Sequence, residues 1–323
     1  MPWDPRLKRR LKLRDLDTFV AVAQWGSMAK AAARLSTSQP AISKAIADME
    51  HTLGVPLLNR TARGVEPNLY GRALLKWSGA MFDDLRQGVN EIAFLADPNV
   101  GELRIGATEP MIAGILPAIL DRLCRRHPRI SFHVMHLVSI ADQHQQLRER
   151  HVDLLLGRVS NSKGEDDLDT KILFDDPQFV VAGSNNPLSR RRKVSLADLA
   201  DEPWTLPRVD TLAGALIHDT FRASGLASPN TGVVWSSIQM HTALLATGRY
   251  LAIFSASVLK FHVHREAIKV LPIKLPNRPA PVGIMTLKNH TISPIAQLFI
   301  DCAREVSKPL SANKNSLIRH ASG

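Results

Sequence analysis

The sequence predicts a chain of two parts: an α-helical N-terminal part that ends in one long helix, and a C-terminal part of alternating strands and helices. Apolar residues recur at helical spacing as far as residue 97, with one short turn-rich stretch near residue 60. From residue 101 to residue 305, β-branched runs alternate with helical runs, which is the pattern of an α/β domain. A length of 323 residues leaves room for about two domains.

The composition is that of a globular protein, with 45% hydrophobic and 22% charged residues. No run of about 18 apolar residues occurs, so we predict no membrane-spanning helix. The two cysteines, Cys124 and Cys302, are too few for a disulfide scaffold. The apolar stretch after the basic start, Phe19 to Ala23, is shorter than the ~7 residues that a signal peptide needs. We therefore expect a cytoplasmic protein.

The charge is strongly positive and concentrated at the N-terminus. Lys and Arg number 41 against 30 Asp and Glu, a net charge of +11. Residues 1–68 hold 11 basic and 6 acidic residues, net +5, and residues 69–323 hold 30 and 24, net +6. The charge per residue is thus about three times higher in the first segment, which favours a polyanionic partner such as nucleic acid. A basic protein without such a partner is the competing interpretation.

Three short helices are predicted before residue 55. Gly26 and Gly54 end the first and third helices, Ser27 and Ser38 are N-caps of the second and third, and Pro40 fits the first turn of the third. Two helices joined by a tight turn across small residues describe a helix-turn-helix unit. The competing interpretation is a three-helix bundle with a polar face. The expected small-residue seam consists of Ala29, Ala31, Ala32 and Ala33.

Residues 57–67 predict two extended segments around a basic turn, as in a β-wing. Arg60 and Arg63 would reach backbone phosphates or the minor groove, although arginines in a turn can also be merely solvated. The polar face of the third helix carries short and hydrogen-bonding side chains that fit the major groove. The predicted DNA-binding residues are Ser27, Arg34, Ser38, Gln39, Pro40, Ser43, Lys44, Arg60 and Arg63.

One long helix is predicted over residues 69–97, and Pro98 helps to end it. Its apolar residues follow a nearly heptad spacing, and its other side is polar. We expect this helix to pair with the same helix of a second copy; packing against its own chain is the alternative. The apolar positions are Leu74, Trp77, Met81, Leu85, Val89, Ile92 and Leu95.

The C-terminal part predicts a parallel sheet, because short strands alternate with helices such as Met111 to Cys124. Ligands of such sheets bind beyond the carboxyl ends of the strands. Polar residues at strand ends and helix starts are therefore candidate ligand contacts, and for each the alternative is a helix cap or a turn. These candidates are Thr108, Glu109, Pro207, Arg208, Ser236, Ser237, Gln239 and Ser255. The predicted strands are 103–106, 130–138, 152–156, 179–182, 204–206, 251–254 and 282–285.

Five blocks of this sequence resemble LysR-type transcriptional regulators. The most specific block opens the third helix with Ser-Gln-Pro-Ala-Ile-Ser at 38–43 and is followed by Glu50 and by Leu-Gly-Val at 53–55. The family usually has Thr where Asn68 stands, and Asn can also cap the long helix. The wing and the exit of the long helix are similar to the galactose-binding protein regulator subgroup. The five blocks are 13–23, 26–35, 38–50, 53–65 and 71–75.

The resemblance implies a fold with an all-α winged helix-turn-helix and a linker helix, followed by an α/β effector domain of two subdomains like a type 2 periplasmic binding protein. It implies an effector in the cleft between the subdomains and a homodimer, assembled into a homotetramer, that bends double-stranded DNA. The implied segments are 11–68 for DNA binding, 69–97 for the linker and dimerisation helix, 101–176 with 275–305 for subdomain I, and 177–270 for subdomain II. The polar composition of 306–323 predicts a disordered tail.

No catalytic residue, cofactor or metal site is expected. The sequence has no Gly-x-Ser-x-Gly, no phosphate-cradling glycine loop and no Cys-x-x-Cys. Two other classes stay open: a cytoplasmic solute-binding module without a DNA role, and an enzyme that uses the cleft. The candidate contacts suit a sugar, a hydroxylated acid or an aromatic acid as effector.

Overall fold

A computed structural model describes residues 10–61, 64–159, 166–235, 237–261, 265–276, 279–288 and 290–311. The chain divides into two compact units, Met1–Val89 and Asn90–Gly323. Within the described ranges, no helix combines the length and the apolar character needed to cross a bilayer.

The first unit contains three short helices, a two-stranded antiparallel wing and the start of a long helix. Leu16 and Phe19 of the first helix pack against Ile42, Ile46 and Met49 of the third, and all five are buried. The elements are α1 (Leu13–Trp25), α2 (Met28–Arg34), α3 (Gln39–Leu53), β1 (Leu58–Thr61), β2 (Gly64–Pro67) and α4 (Leu69–Ala96).

The prediction that four alanines form the seam between the helices holds for two of them. Ala31 and Ala32 are buried between the helices, whereas Ala29 and Ala33 are exposed. The reason is the helical period: Met28, Ala31, Ala32 and Leu35 share the face that packs on the core, and Ala29 and Ala33 fall outside that face.

The long helix α4 begins at a side-chain cap. Asn68 Oδ1 accepts a hydrogen bond from the backbone N–H of Gly71 at 2.9 Å, and its Nδ2 donates to the Pro56 carbonyl at 2.8 Å. Gly71 lies so close to the wing that a Cβ there would stand 2.2 Å from the Leu57 carbonyl oxygen. Asn68 and Gly71 therefore fix the start of α4 against the wing.

The second unit holds two five-stranded sheets with helices packed on them. Sheet I has the strand order β4-β3-β5-β12-β6, and sheet II has the order β11-β7-β10-β8-β9. Its strands are β3 (Val100–Ala107), β4 (Arg129–His136), β5 (Leu154–Arg158), β6 (Leu168–Asp176), β7 (Gln178–Gly183), β8 (Trp204–Leu206), β9 (Thr231–Val234), β10 (Leu251–Ser255), β11 (Ile268–Val270) and β12 (Ala280–Leu287). Its helices after α4 are α5 (Glu109–Ala113), α6 (Ile115–Arg126), α7 (Ile140–Arg148), α8 (Leu212–Ala223), α9 (Ile238–Ala246), α10 (Ala256–Phe261) and α11 (Pro294–Ser311).

Both sheets are mixed, so the prediction of a parallel sheet was wrong in part. Strands β4, β3 and β5 are parallel in sheet I, and β10, β8 and β9 in sheet II. Strand β12 runs antiparallel to β5 and β6, and β7 runs antiparallel to β10 and β11. The chain passes from β6 of sheet I directly into β7 of sheet II at Pro177, and it returns to sheet I with β12. Strands that arrive from the other sheet enter from the opposite end, which gives them the opposite direction.

Three other expectations need correction. The helix predicted from Met111 to Cys124 is two helices, because Gly114 breaks it where a Cβ would stand 2.6 Å from the Pro110 carbonyl oxygen. Strand β6, which is rich in aspartate, and the short strands β9 and β11 were not among the predicted strands. The tail predicted from residue 306 begins inside α11, whose apolar face packs on the core of sheet I as far as Leu310. Residues 312–323 lie outside the described part.

Candidate functional site

The exposed side of α3 forms a polar surface in the first unit. Burial of its apolar face turns Gln39, Lys44 and Ala47 outward. Ser38 caps the helix by accepting a hydrogen bond from the Ala41 N–H at 3.4 Å. The start of α3 therefore lies at this surface.

The other predicted DNA contacts differ in their exposure and in the hydrogen bonds that they already make within the protein. Arg34 lies exposed in the last turn of α2, and Pro40 is exposed in the first turn of α3. Ser27 caps α2 through the Lys30 N–H. Ser43 is half-buried and donates a hydrogen bond to the sulfur of Met28 at 3.1 Å, so its hydroxyl is already engaged.

The wing is fixed to the helices by backbone contacts that the sequence analysis did not find. Glu50 Oε1 accepts hydrogen bonds from the N–H groups of Leu57 at 2.7 Å and Leu58 at 3.4 Å. The Val65 N–H donates to the Gly26 carbonyl at 3.0 Å. Arg60 is exposed on β1, and Arg63 lies outside the described residues. A carboxylate at the end of a helix ahead of an extended segment was the available signal for Glu50.

The second unit contains a cleft that is lined from both sheets. Thr108 follows β3, Pro207 follows β8, and Ser255 ends β10, and all three side chains line the cleft. The rule that ligands bind at carboxyl ends of strands accounts for their meeting there. Apolar side chains cover much of the rest of the wall, and they include Leu212, Ile217, Ile238, Ile253, Phe254 and Val258.

Glu109 also lines the cleft and connects the two subdomains. Its Oε1 accepts a hydrogen bond from the N–H of Ile238, the first residue of α9, at 2.7 Å. Its Oε2 lies 3.8 Å from His136 Nε2. A carboxylate at a helix N-terminus is favoured by the unpaired N–H groups and by the helix dipole.

Three predicted contacts lie off the cleft wall. Arg208 is exposed and pairs with Asp210, with its Nε 2.9 Å from Oδ1. This hydrogen bond lowers the pKa of the Asp210 carboxyl. Ser237 caps α9 through the Met240 N–H, and Gln239 is exposed on the outer side of that helix. Ser236 lies outside the described residues.

A buried ion pair at the cleft was missed. Arg158, the last residue of β5, lines the cleft with a side chain only 5% exposed, and its Nη2 is 4.0 Å from Asp176 Oδ2. Burial lowers the pKa of the Arg158 guanidinium, and the attraction of Asp176 opposes this shift. A polar residue closing an apolar strand was the signal that could have found Arg158.

Asp176 holds the start of α10. Its Oδ1 accepts from the Ser257 N–H at 2.9 Å and its Oδ2 accepts from the Ser257 hydroxyl at 2.7 Å. Because the Ser257 hydrogen is used in this way, Ser255 donates to the Ser257 oxygen at 2.9 Å. Asp176 is fully buried, although aspartate is usually an exposed residue.

His241 is a neutral imidazole in the cleft wall. Its Nε2 donates to the Trp235 carbonyl at 3.0 Å, and its Nδ1 accepts from the Thr205 hydroxyl at 2.7 Å. Burial lowers the pKa of His241 to about 4. Other polar residues of the wall that the sequence analysis missed are His136, Gln143, Gln178, Thr205 and Thr211.

No group of three or more metal-binding side chains occurs among the described residues. The winged helix-turn-helix and the cleft between two α/β sheets define a class of protein that joins a DNA-binding unit to a ligand-binding unit.

Comparison with known families identifies the chain. The family of bacterial regulatory helix-turn-helix proteins of the lysR type matches residues 13–72, and the LysR substrate binding domain matches residues 96–308. The chain therefore belongs to the LysR family. It is a DNA-binding transcriptional regulator with a substrate-binding domain, as the resemblance implied. The family consists of regulators rather than enzymes.

Individual relatives are distant but cover most of the chain. The HTH-type transcriptional regulator GbpR of Azospirillum brasilense is 28% identical over 93% of this chain and 88% of its own. The HTH-type transcriptional regulator GalR of Pseudomonas putida is 28% identical over 91% of this chain and 73% of its own. The crystal structure of full-length CbnR complexed with its target DNA covers 92% of this chain and 100% of its own at 23% identity, with a TM-score of 0.66. At that identity the likeness shows a shared fold.

Proposed function

We propose that the protein binds operator DNA through α3 and the wing, and that a small-molecule effector in the cleft changes this binding and the DNA bend. The observation that carries the DNA contact is the exposed polar surface at the start of α3, where Gln39 and Lys44 face outward. Gln39 can read base edges in the major groove, and Arg34, Arg60 and Arg63 would neutralise phosphates.

The effector would act by favouring one closure of the cleft. Glu109 and Ile238 already connect the two subdomains across it. A ligand that binds one closure more tightly shifts the population toward that closure by its differential affinity. Thr108, Pro207 and Ser255 are the proposed contacts among the residues predicted from the sequence.

The proposed assembly is a homodimer formed through α4, and two such dimers form a tetramer. The apolar seam of α4 is exposed: Trp77 is 65%, Ile92 69% and Leu95 74% accessible. Burying such a stripe against the same helix of a second copy would remove it from water. A two-fold dimer would place two α3 helices in successive major grooves about 34 Å apart. We place the protein in the cytoplasm, with no membrane contact and no cofactor.

The test is direct titration of the purified full chain against duplex fragments taken from around its own gene. We expect tight binding to a fragment with a pseudo-palindromic site and weak, salt-sensitive binding elsewhere. Absence of duplex affinity even at low salt would favour a solute-binding module instead. Conversion of a bound ligand to product would favour an enzyme.

A further inference from the structure

We propose that the cleft recognises an organic anion, a carboxylate attached to an apolar body, and that Arg158 is the cation that binds the carboxylate. This inference rests on the proposed function of the cleft and names the class of its effector. The observation behind it is that, within the described part of the chain, Nε and Nη1 of Arg158 are buried and have no hydrogen-bond partner.

Such an arrangement is costly without a ligand. A guanidinium carries five N–H donors, and burying a charged donor without an acceptor is strongly unfavourable. Arg158 sits at the end of β5, where its side chain reaches the cleft from sheet I. Arg158 therefore lines the cleft and carries two donors, Nε and Nη1, that have no acceptor within the described part of the chain.

Asp176 does not supply the hydrogen-bond acceptor that Arg158 lacks. Its nearer oxygen is 4.0 Å from Arg158 Nη2, which is beyond a hydrogen bond, and both its oxygens accept from Ser257. Asp176 thus lowers the electrostatic cost of the guanidinium without satisfying it. Burial lowers the pKa of the Arg158 guanidinium although the attraction of Asp176 opposes this shift.

Glu109 does not supply this acceptor either, since its Oε1 is occupied by the Ile238 N–H and its Oε2 faces His136. An acceptor with a full negative charge is what the two free nitrogens of Arg158 require. Carboxylates match guanidinium groups in charge and geometry, whereas the hydroxyls of a neutral sugar supply no charge.

The other residues of the cleft wall indicate the chemistry of the ligand apart from its carboxylate. Leu212, Ile217 and Phe254 belong to the apolar part of the lining, and Thr205, Thr211 and Ser255 add hydroxyls. An aromatic or aliphatic acid fits this mixture, because its body contacts the apolar side chains while its carboxylate meets Arg158. Of the three effector classes open from the sequence, a neutral sugar is the one that this site disfavours.

The test uses pairs of ligands with the same skeleton. The full-length protein is titrated with benzoate and benzyl alcohol, and with phenylacetate and 2-phenylethanol, by thermal shift and calorimetry. We expect at least one acid to raise the unfolding temperature saturably at concentrations up to about 50 mM, and to bind about tenfold or more tightly than its alcohol. If the alcohols bind as well as the acids, or if neither acid binds in that range, anion recognition is overturned.

Variants locate the contact. Arg158→Gln should weaken binding of the acid about 10- to 100-fold and leave benzyl alcohol unaffected. Arg222→Gln removes an arginine that is 80% exposed on α8 and should change nothing. Unaltered acid affinity in Arg158→Gln would overturn the role of Arg158, and the wild-type comparison decides the anion preference even if that variant fails to fold.

Measuring operator affinity with each ligand separates the effector class from the proposed function. A neutral ligand that binds the cleft and alters operator affinity would overturn anion recognition and leave the proposed function intact. An acid that binds through Arg158 without altering operator affinity would support anion recognition and contradict the proposed function.

Discussion

Glu109 and Ile238 are 129 residues apart in sequence, and a 2.7 Å hydrogen bond joins the carboxylate of the first to the N–H of the second. Glu109 begins α5 beside sheet I, and Ile238 begins α9 beside sheet II. One side chain therefore connects the two walls of the cleft at the first turn of a helix, where an acceptor is most needed.

Replacing Glu109 by Ala should loosen this connection. The Ile238 N–H would lose its acceptor, and we expect hydrogen exchange at the start of α9 to speed up about tenfold or more. Hydrogen-exchange mass spectrometry of peptides spanning Ile238 measures this. Glu109→Gln keeps an acceptor oxygen and should lie close to wild type; equal protection in both variants and wild type would mean that the contact does not hold the helix.

The same Gly-to-Ala change should have opposite effects at two positions of α4. Gly71→Ala would place a Cβ 2.2 Å from the Leu57 carbonyl oxygen, and we expect a loss of about 2 kcal/mol or more in unfolding free energy. At Gly79 no described atom lies within 4 Å of the added Cβ, so Gly79→Ala should gain up to about 1 kcal/mol from helix propensity. Thermal unfolding of both variants is the measurement, and a gain at Gly71 would contradict the packing of α4 on the wing.

His241 should make stability depend on pH. Its pKa is lowered from 6.5 to about 4 by burial, so the unfolded chain binds the proton more readily than the folded one. The stability is therefore fully present above pH 6.5 and is lost as the pH falls toward 4, by at most about 3 kcal/mol. Chemical unfolding of wild type and His241→Asn across this range isolates the effect as a difference between their pH profiles. If the unfolding free energies of the two proteins change with pH in the same way, His241 is not a neutral buried imidazole.

Arg60 and Gln39 should affect DNA binding in different ways. Arg60→Ala should weaken binding to all duplexes and reduce the slope of log affinity against log salt by about 1, as expected for a phosphate contact. Gln39→Ala should reduce the difference in binding free energy between operator and random duplex by about 1–3 kcal/mol, as expected for a base contact. Fluorescence anisotropy over a salt series distinguishes them. If neither change is seen, the assignment of α3 and the wing to the grooves is wrong.

Charging the apolar seam of α4 should separate the proposed dimer. Leu85 is 51% exposed in the single chain, and Leu85→Glu would place a carboxylate in the helix pair. We expect a shift toward monomer in analytical ultracentrifugation and a loss of operator affinity. Asn90→Glu places the same side chain on the polar side of α4, so it is the matched control and should stay assembled. A Leu85→Glu protein that remains dimeric would place the interface elsewhere.

Local signals predicted the first unit well. Gly26 and Gly54 end α1 and α3 with positive φ, Ser27 and Ser38 cap the helices that follow them, and β1 and β2 pair as the two predicted extended segments. Each of these features depends on a few neighbouring residues, because caps, helix ends and helical periods act over one or two turns.

The cleft depended on contacts between distant segments. Polar residues at strand ends indicated its position and four of its lining residues, Thr108, Glu109, Pro207 and Ser255. The same pattern could not show that Arg208 turns away to Asp210. Nor could it show that the acidic strand β6 enters a sheet, since pairing with β12 outweighs its polar composition.

The family, the helix-turn-helix with its wing and the long helix follow from the amino-acid sequence alone, because motif spacing and helical periodicity are local properties. The mixed sheets, the burial of Asp176 where the chain passes between them, and the place of Arg158 in the cleft lining with two unpartnered donors became visible in the folded chain. Those facts arise where segments far apart in the chain exclude water from one another, and burial of that kind is set by the whole fold.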